Sequence, residues 1–124
     1  MQPDPRLQRD LRWIAELDML IHEHSRLMIL TILRCGPTTY KTVQRISDLS
    51  KANLSNHVAK LERAGIVHVR KHFEGKTPVT TLELTAHGRE RIEEYYRRIR
   101  AIALQTDEDL PIEEGKPDEY HKAQ

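Results

Sequence analysis

Ser50-Lys51-Ala52-Asn53-Leu54-Ser55-Asn56-His57-Val58-Ala59-Lys60-Leu61-Glu62-Arg63-Ala64-Gly65-Ile66-Val67 is the stretch whose reading decides the fold. Ser50 suits a helix N-cap, because its hydroxyl oxygen can accept a backbone N–H that the first turn leaves unpaired. Leu54, Val58 and Leu61 recur at spacings of four and three, which puts them on one face of a helix from about Lys51 to Ala64. Gly65 stops it. Lys51, Asn53, Ser55, Asn56 and Lys60 are left for the outer side or the exposed N-terminal end.

Working outward, Thr39 is placed to cap a short helix carrying Tyr40, Val43 and Ile46, and Ser47-Asp48-Leu49-Ser50 makes the turn, with Leu49 dipping inward. On the other side, Val67, Val69 and Phe73 alternate as in a strand. Glu74-Gly75-Lys76-Thr77-Pro78 is a polar tip, and Val79 to Leu84 returns as the partner strand. Thr85 caps a last helix whose stripe is Ile92, Tyr95, Tyr96, Ile99, Ile102 and Ala103.

The N-terminal part adds two helices. Asp4-Pro5 starts one, since proline's missing N–H costs nothing at the first helical position. Leu7, Leu11, Ile14, Leu17 and Ile21 line its face, with Trp13 off the stripe. Ser25 is a candidate cap for the next, and Leu27, Ile29, Leu30, Ile32 and Leu33 make that helix apolar all round, as a central one should be. Gly36-Pro37 ends it.

The chain of 124 residues carries a net charge of +1, which conceals a partition. Between Arg34 and Lys76 stand nine Lys or Arg against three acids; from Thr106 to Gln124 stand seven acids against two lysines. A solvated charged face would show a similar excess, but a basic block lying over the two-helix pattern suits a polyanion. With only 5% aromatic residues the core must rest on Leu, Ile and Val. One cysteine, Cys35, excludes an internal disulfide. No apolar run reaches the ~18 residues that span a bilayer, and the N-terminus lacks a signal-peptide pattern. The expectation is a cytoplasmic protein without membrane contact.

These pieces resemble the winged helix-turn-helix transcriptional regulators of the MarR/ArsR type, above all the small ones that are little more than a winged domain with dimerising helices. The matching residues are Arg26-Leu27, Ile29-Leu30 and Leu33; Asn53 to His57; Lys60-Leu61-Glu62 with Ala64-Gly65-Ile66-Val67; and Phe73-Glu74-Gly75-Lys76, Pro78, Thr80 to Thr85 and Gly88-Arg89. They span about Leu20 to Tyr96. The resemblance implies a mainly α fold with a small β-wing (α+β), and a dimeric, cytoplasmic, DNA-binding protein that regulates transcription. The resemblance places a winged DNA-binding domain in 25–91; the apolar stripes at either end are expected to be an N-terminal dimerisation helix in 1–24 and a C-terminal one in 92–105, and the acidic 106–124, with almost nothing to bury, a disordered tail.

In such a geometry the N-terminal part of the second helix, here about 51–64, meets base edges in the major groove. Asn53 and Asn56 suit adenine, and Ser55 can donate or accept with several bases. Lys51 and Lys60 fit phosphates, which position without reading sequence. His57, beside Val58, reads as a partly buried helix residue rather than a phosphate donor. Arg70, Lys71 and Lys76 flank the tip of a wing at 70–79 aimed at the backbone or minor groove. Leu7, Leu11, Ile14, Tyr95, Tyr96, Ile99 and Ile102 are the candidate dimer contacts, and two reading helices one DNA turn apart would favour a near-palindrome.

Two other readings compete. One is a metal- or redox-responsive sensor of the ArsR type using Cys35 with His22, His24, His68 or His72; a lone cysteine beside a helix end more often packs as a small buried hydrophobe, and His22 and His24 are poorly spaced for one helix face. The other is a winged domain used for protein contact alone, against which the basic second helix argues. No glycine phosphate loop, no metal-hydrolase His-Glu-x-x-His and no nucleophile with a partner base is present, so neither catalysis nor a cofactor or metal is expected. The resemblance leaves room for a small-molecule effector near Trp13, Tyr95 and Tyr96, where aromatic packing is the simpler reading.

Overall fold

The computed structural model describes residues 3–106. The acidic run expected to form a tail lies outside these residues from position 107 on; Thr106, its first residue, closes the last helix instead. The order is α1 (Pro5–Ala15), α2 (His24–Leu33), β1 (Thr38–Thr39), α3 (Tyr40–Ser47), α4 (Lys51–Arg63), β2 (Val67–Glu74), β3 (Thr77–Leu84) and α5 (Ala86–Thr106). The three strands form one antiparallel sheet in the order β1-β3-β2. This is the expected α+β architecture.

α2 is the central helix. Ile29, Leu30 and Leu33 are fully buried, joined by Val43 from α3, Leu54 and Leu61 from α4, Leu82 from β3 and Ile92 from α5. Removing one such aliphatic side chain from water is worth about 1.5–3 kcal/mol, so the faces presented by these residues fix how the elements meet. Four caps follow from the sequence: the side chains of Asp4, Thr39 and Ser50 accept from Arg6, Thr42 and Asn53 amides, and Thr85 Oγ1 accepts from Gly88 N.

Two expectations fail in the N-terminal part. The stripe Leu7 to Ile21 is not one helix: α1 ends at Ala15, and Leu17 and Ile21 are buried from a turn. Asp18 builds that turn, its side chain accepting from Leu20 N and Ile21 N while its carbonyl accepts from His22 N. Spacings of three and four persist through a compact turn, so periodicity alone does not reveal the break. Nor does Ser25 cap α2. Glu23 does, its two carboxylate oxygens accepting from the Ser25 and Arg26 amides; a carboxylate at a helix N-terminus satisfies the same orphan donors and favours the helix dipole.

The wing is tighter than the five-residue tip that the sequence suggests. Glu74 pairs with Thr77 and Phe73 with Pro78, leaving a two-residue turn at Gly75-Lys76. Gly75 has φ 63 and Lys76 has no positive φ, the pattern of a type II′ turn, whose twist matches that of the flanking strands.

α5 is fastened where it leaves the sheet. Thr85 N donates to the Ile66 carbonyl at 3.0 Å, tying the end of β3 to the start of β2. Gly88, one turn into the helix, lies against the same peptide: a Cβ there would stand 2.0 Å from the Ile66 carbonyl oxygen. Gly88→Ala should therefore force backbone apart and cost at least the ~1–3 kcal/mol typical of overpacking, read as a fall of several degrees in melting temperature. Melting at the wild-type temperature would show that α5 does not need this approach.

Candidate nucleic-acid interface

α4 is two-sided. Leu54, Val58 and Leu61 point into the core, whereas Lys51, Ala52, Asn53, Ser55, Asn56 and Lys60 are exposed. At 100° per residue Asn56 and Lys60 fall on the side away from the buried face, and Asn53 and Ser55 fall on its two flanks. Ser55 lines a cleft with Tyr40 of α3 and Val69 and Lys71 of β2. Thus the flank of α4 and the strand cation Lys71 share a surface. No acid stands in the first turn of α4, and Lys60 and Arg63 occupy its last turn, where cations complement the helix dipole.

What holds α4 from the other side was not foreseen. Arg26, read in the sequence only as part of a motif, is 8% exposed. Its Nε donates to the Leu20 carbonyl, its Nη1 donates to His57 Nδ1 at 3.2 Å, and Nη1 lies 3.7 Å from Glu23 Oε2. A guanidinium only donates, so His57 Nδ1 is the acceptor in that bond. A buried charge is tolerated when it is paired and hydrogen-bonded, and here the three partners come from the turn before α2, from its cap and from the middle of α4. His57 is the partly buried residue expected. Burial pushes the Glu23 carboxyl up, but the Arg26 and Ser25 amides and the Arg26 guanidinium hold it below the ordinary carboxylate value. No periodicity marks Arg26; a lone arginine in an otherwise apolar helix was the available signal.

In the wing, Arg70, Lys71 and Lys76 are all exposed, but neighbouring strand residues face opposite ways. Lys71 shares the face of Val67 and Val69, which leads back to α4; Arg70 lies with His68 and His72 on the other face, where His72 bonds Thr81 Oγ1. The three cations are therefore not one cluster. Phe73, expected to alternate inward with Val67 and Val69, is 73% exposed, because β2 has by then run past the helices that cover its base. Arg63 stands three residues after Lys60 and seven after Asn56, hence along their line.

The candidate dimer residues divide. Leu7, Leu11 and Ile14 are 51%, 56% and 48% exposed, and α1 has no buried residue. Tyr95 is turned the other way, 4% exposed in its own protomer's core with its hydroxyl 2.7 Å from His22 Nδ1; a side chain so enclosed offers no face to a partner. Tyr96 is half-buried, bonded to Thr31 and stacked under Arg34 at 4.3 Å, and Ile99 and Ile102 are half-buried against the core. Arg91 ties α5 to Asp18, Arg34 at the end of α2 holds Glu93 of α5 through two bonds, and Arg98 reaches Glu16, just past the end of α1. Burial pushes the Asp18 carboxyl up, yet Arg91 and the turn amides bring it below its usual value. Cys35 is exposed rather than packed away: it lies beyond the last turn of α2, past the core. Among the described residues no three His, Cys, Asp or Glu gather to hold a metal, and no helix is long and apolar enough to cross a membrane.

A capped helix with a polar front, set beside a twisted two-stranded wing, defines a winged helix-turn-helix protein. The model of the winged helix DNA-binding domain family matches residues 25–103, and the chain belongs to that family. The family is one of DNA-binding domains. No curated protein sequence matches the chain. Among solved structures, the transcriptional regulator homologue protein from Pyrococcus horikoshii is 25% identical with a TM-score of 0.68, over 82% of this chain and 99% of that one. A MarR-family regulator from Enterococcus faecalis shares the fold at 18% identity and TM-score 0.64, over 89% and 97%. So does the PcaV regulator of Streptomyces coelicolor, solved with its natural ligand, at 20% and 0.63, over 94% and 80%.

Proposed function

We propose that this chain is a sequence-specific transcriptional regulator that acts in the cytoplasm as a homodimer on duplex DNA. The front half of α4 enters the major groove, and the wing at 70–79 lies on the flanking backbone or minor groove. The observation that carries this reading is the exposure of Asn53 and Asn56 on a helix whose Leu54, Val58 and Leu61 are locked in the core. Asn56 and Asn53 read adenine edges, Ser55 contacts a base from the wing side, and Lys51, Lys60, Arg70, Lys71 and Lys76 engage phosphates. The half-exposed Leu7, Leu11 and Ile14 support a second copy packing along α1, with the outer edges of Tyr96, Ile99 and Ile102 beside it. In this reading 25–91 contacts DNA, while 1–24 and 92–105 hold the two copies together and set the reading helices ~34 Å apart. No effector site is assigned: Tyr95 and Tyr96 are spent on packing, and Trp13 lies under Arg9 at 5.1 Å.

Genomic fragments retained by the purified protein supply the operator. On it, Asn56→Ala should weaken binding by about 5- to 150-fold, the ~1–3 kcal/mol of a good base contact, and leave random-duplex affinity unchanged. Lys76→Ala should weaken both and reduce the slope of log affinity against log salt by about 0.9. Equal losses on operator and random DNA for the Asn56 variant reject its reading role.

For the dimer, sedimentation at micromolar concentration should give twice the protomer mass, and Leu11→Lys should give the single mass. A wild-type monomer under those conditions rejects the assembly.

A further inference from the structure

Phe73 is the only phenylalanine in the chain and, at 73%, the most exposed of the large apolar side chains among the described residues. It lies on β2, an edge strand of the sheet, two residues before the turn. An exposed aromatic on an edge strand invites pairing with other chains, and such edges are usually blunted by charge. Here charge is close: Lys71 stands two residues back on the same face, and Lys76 in the turn.

The cross-strand pairing shows how the ring is presented. Glu74 and Thr77 close a two-residue hairpin, so the next pair, Phe73 and Pro78, is of the non-hydrogen-bonded kind, with side chains closer together. Proline's missing N–H costs no ladder bond at that site, and its rigid ring stands beside the phenyl. Two exposed apolar rings thus sit toward the end of the wing near two lysines, Pro78 also lining an open cleft with Tyr40 and Lys41.

We propose that Phe73, backed by Pro78, is an apolar contact of the wing with duplex DNA, laid against the deoxyribose edge of the minor groove while Lys71 and Lys76 hold the adjoining phosphates. This rests on the DNA-binding reading of the wing given above. The choice of partner follows from charge complementarity: an aromatic bracketed by cations fits a surface on which apolar sugars alternate with anions, and apolar side chains at minor-groove steps are an established mode of contact.

The distinguishing property is salt dependence. A phenyl ring releases no counterions, so its loss lowers affinity without altering the salt slope. Phe73→Ala should bind a random duplex about tenfold more weakly, the change expected for exposing most of one Phe side chain. The slope should stay at the wild-type value across the salt range, and Phe73→Leu should recover part of the loss. Because the ring is exposed, melting of Phe73→Ala should match wild type, which separates a lost contact from a lost fold. Wild-type affinity in Phe73→Ala overturns the proposal, as does a loss accompanied by a reduced slope, or a change in sedimentation with DNA affinity intact, which would make Phe73 a protein contact. If Asn56→Ala discriminates operator from random DNA while Phe73→Ala is neutral, the inference about the ring fails alone. If the wild-type protein retains no duplex, the DNA-binding reading fails with it.

Discussion

Leu54, Val58 and Leu61, pressed against Ile29, Leu30 and Leu33 of α2, decide the rotation of α4 about its own axis. With three apolar residues on one side enclosed, Asn53, Asn56 and Lys60 have nowhere to point but outward. A rotation of 100°, one residue's worth, would bury an amide and expose a leucine, at a cost of several kcal/mol on both counts. The polar front of the helix is thus a consequence of its apolar back. Arg26 adds a directional constraint that burial lacks, since its bonds reach the Leu20 carbonyl, Glu23 and His57 together.

The same core positions the wing. Val67 and Leu82 are buried at the base of the hairpin, and Thr85 and Gly88 fasten the start of α5 onto the Ile66 peptide. Toward the tip Glu74, Thr77 and Pro78 share an open cleft with Thr39, Tyr40 and Lys41 at the start of α3. Exposure rises along the hairpin from Val67 to Phe73. That gradient suits an arm whose base is fixed relative to α4 and whose end can settle on a partner surface. Farther away, the turn that follows α1 is tied to α5 by the Glu16–Arg98 pair, and Leu7, Leu11 and Ile14 of α1 are left largely on the outside.

Much of this was legible in the residues. The ends of α4 were written in Ser50 and Gly65, the hairpin in its alternation and in Gly75, and the last helix in Thr85. Asn53, Asn56 and Lys60 could be placed outward because three buried positions fix a helix wheel. What escaped has physical causes. The end of α1 was hidden because Leu17 and Ile21 keep helical spacing through a turn that Asp18 holds. β1 is two residues long and has no alternation to read. Arg26 and Glu23 act through tertiary partners, which local pattern cannot report. Arg70 and Lys71 are adjacent in sequence, yet a strand sends them to opposite faces. The stripe of α5 lies along one face, on which Tyr95 closes its own core while Ile99 and Ile102 remain half open.

The central claim is that the front of α4 is the surface that meets duplex DNA. Backbone amide shifts of isotope-labelled protein, followed by NMR through a titration with a duplex of retained genomic sequence, test it most directly. The largest changes should fall on Lys51 to Lys60 and on the wing from Arg70 to Val79, with α2 little affected. Changes confined to α1 and α5, with Asn53 and Asn56 unmoved at saturation, would contradict it.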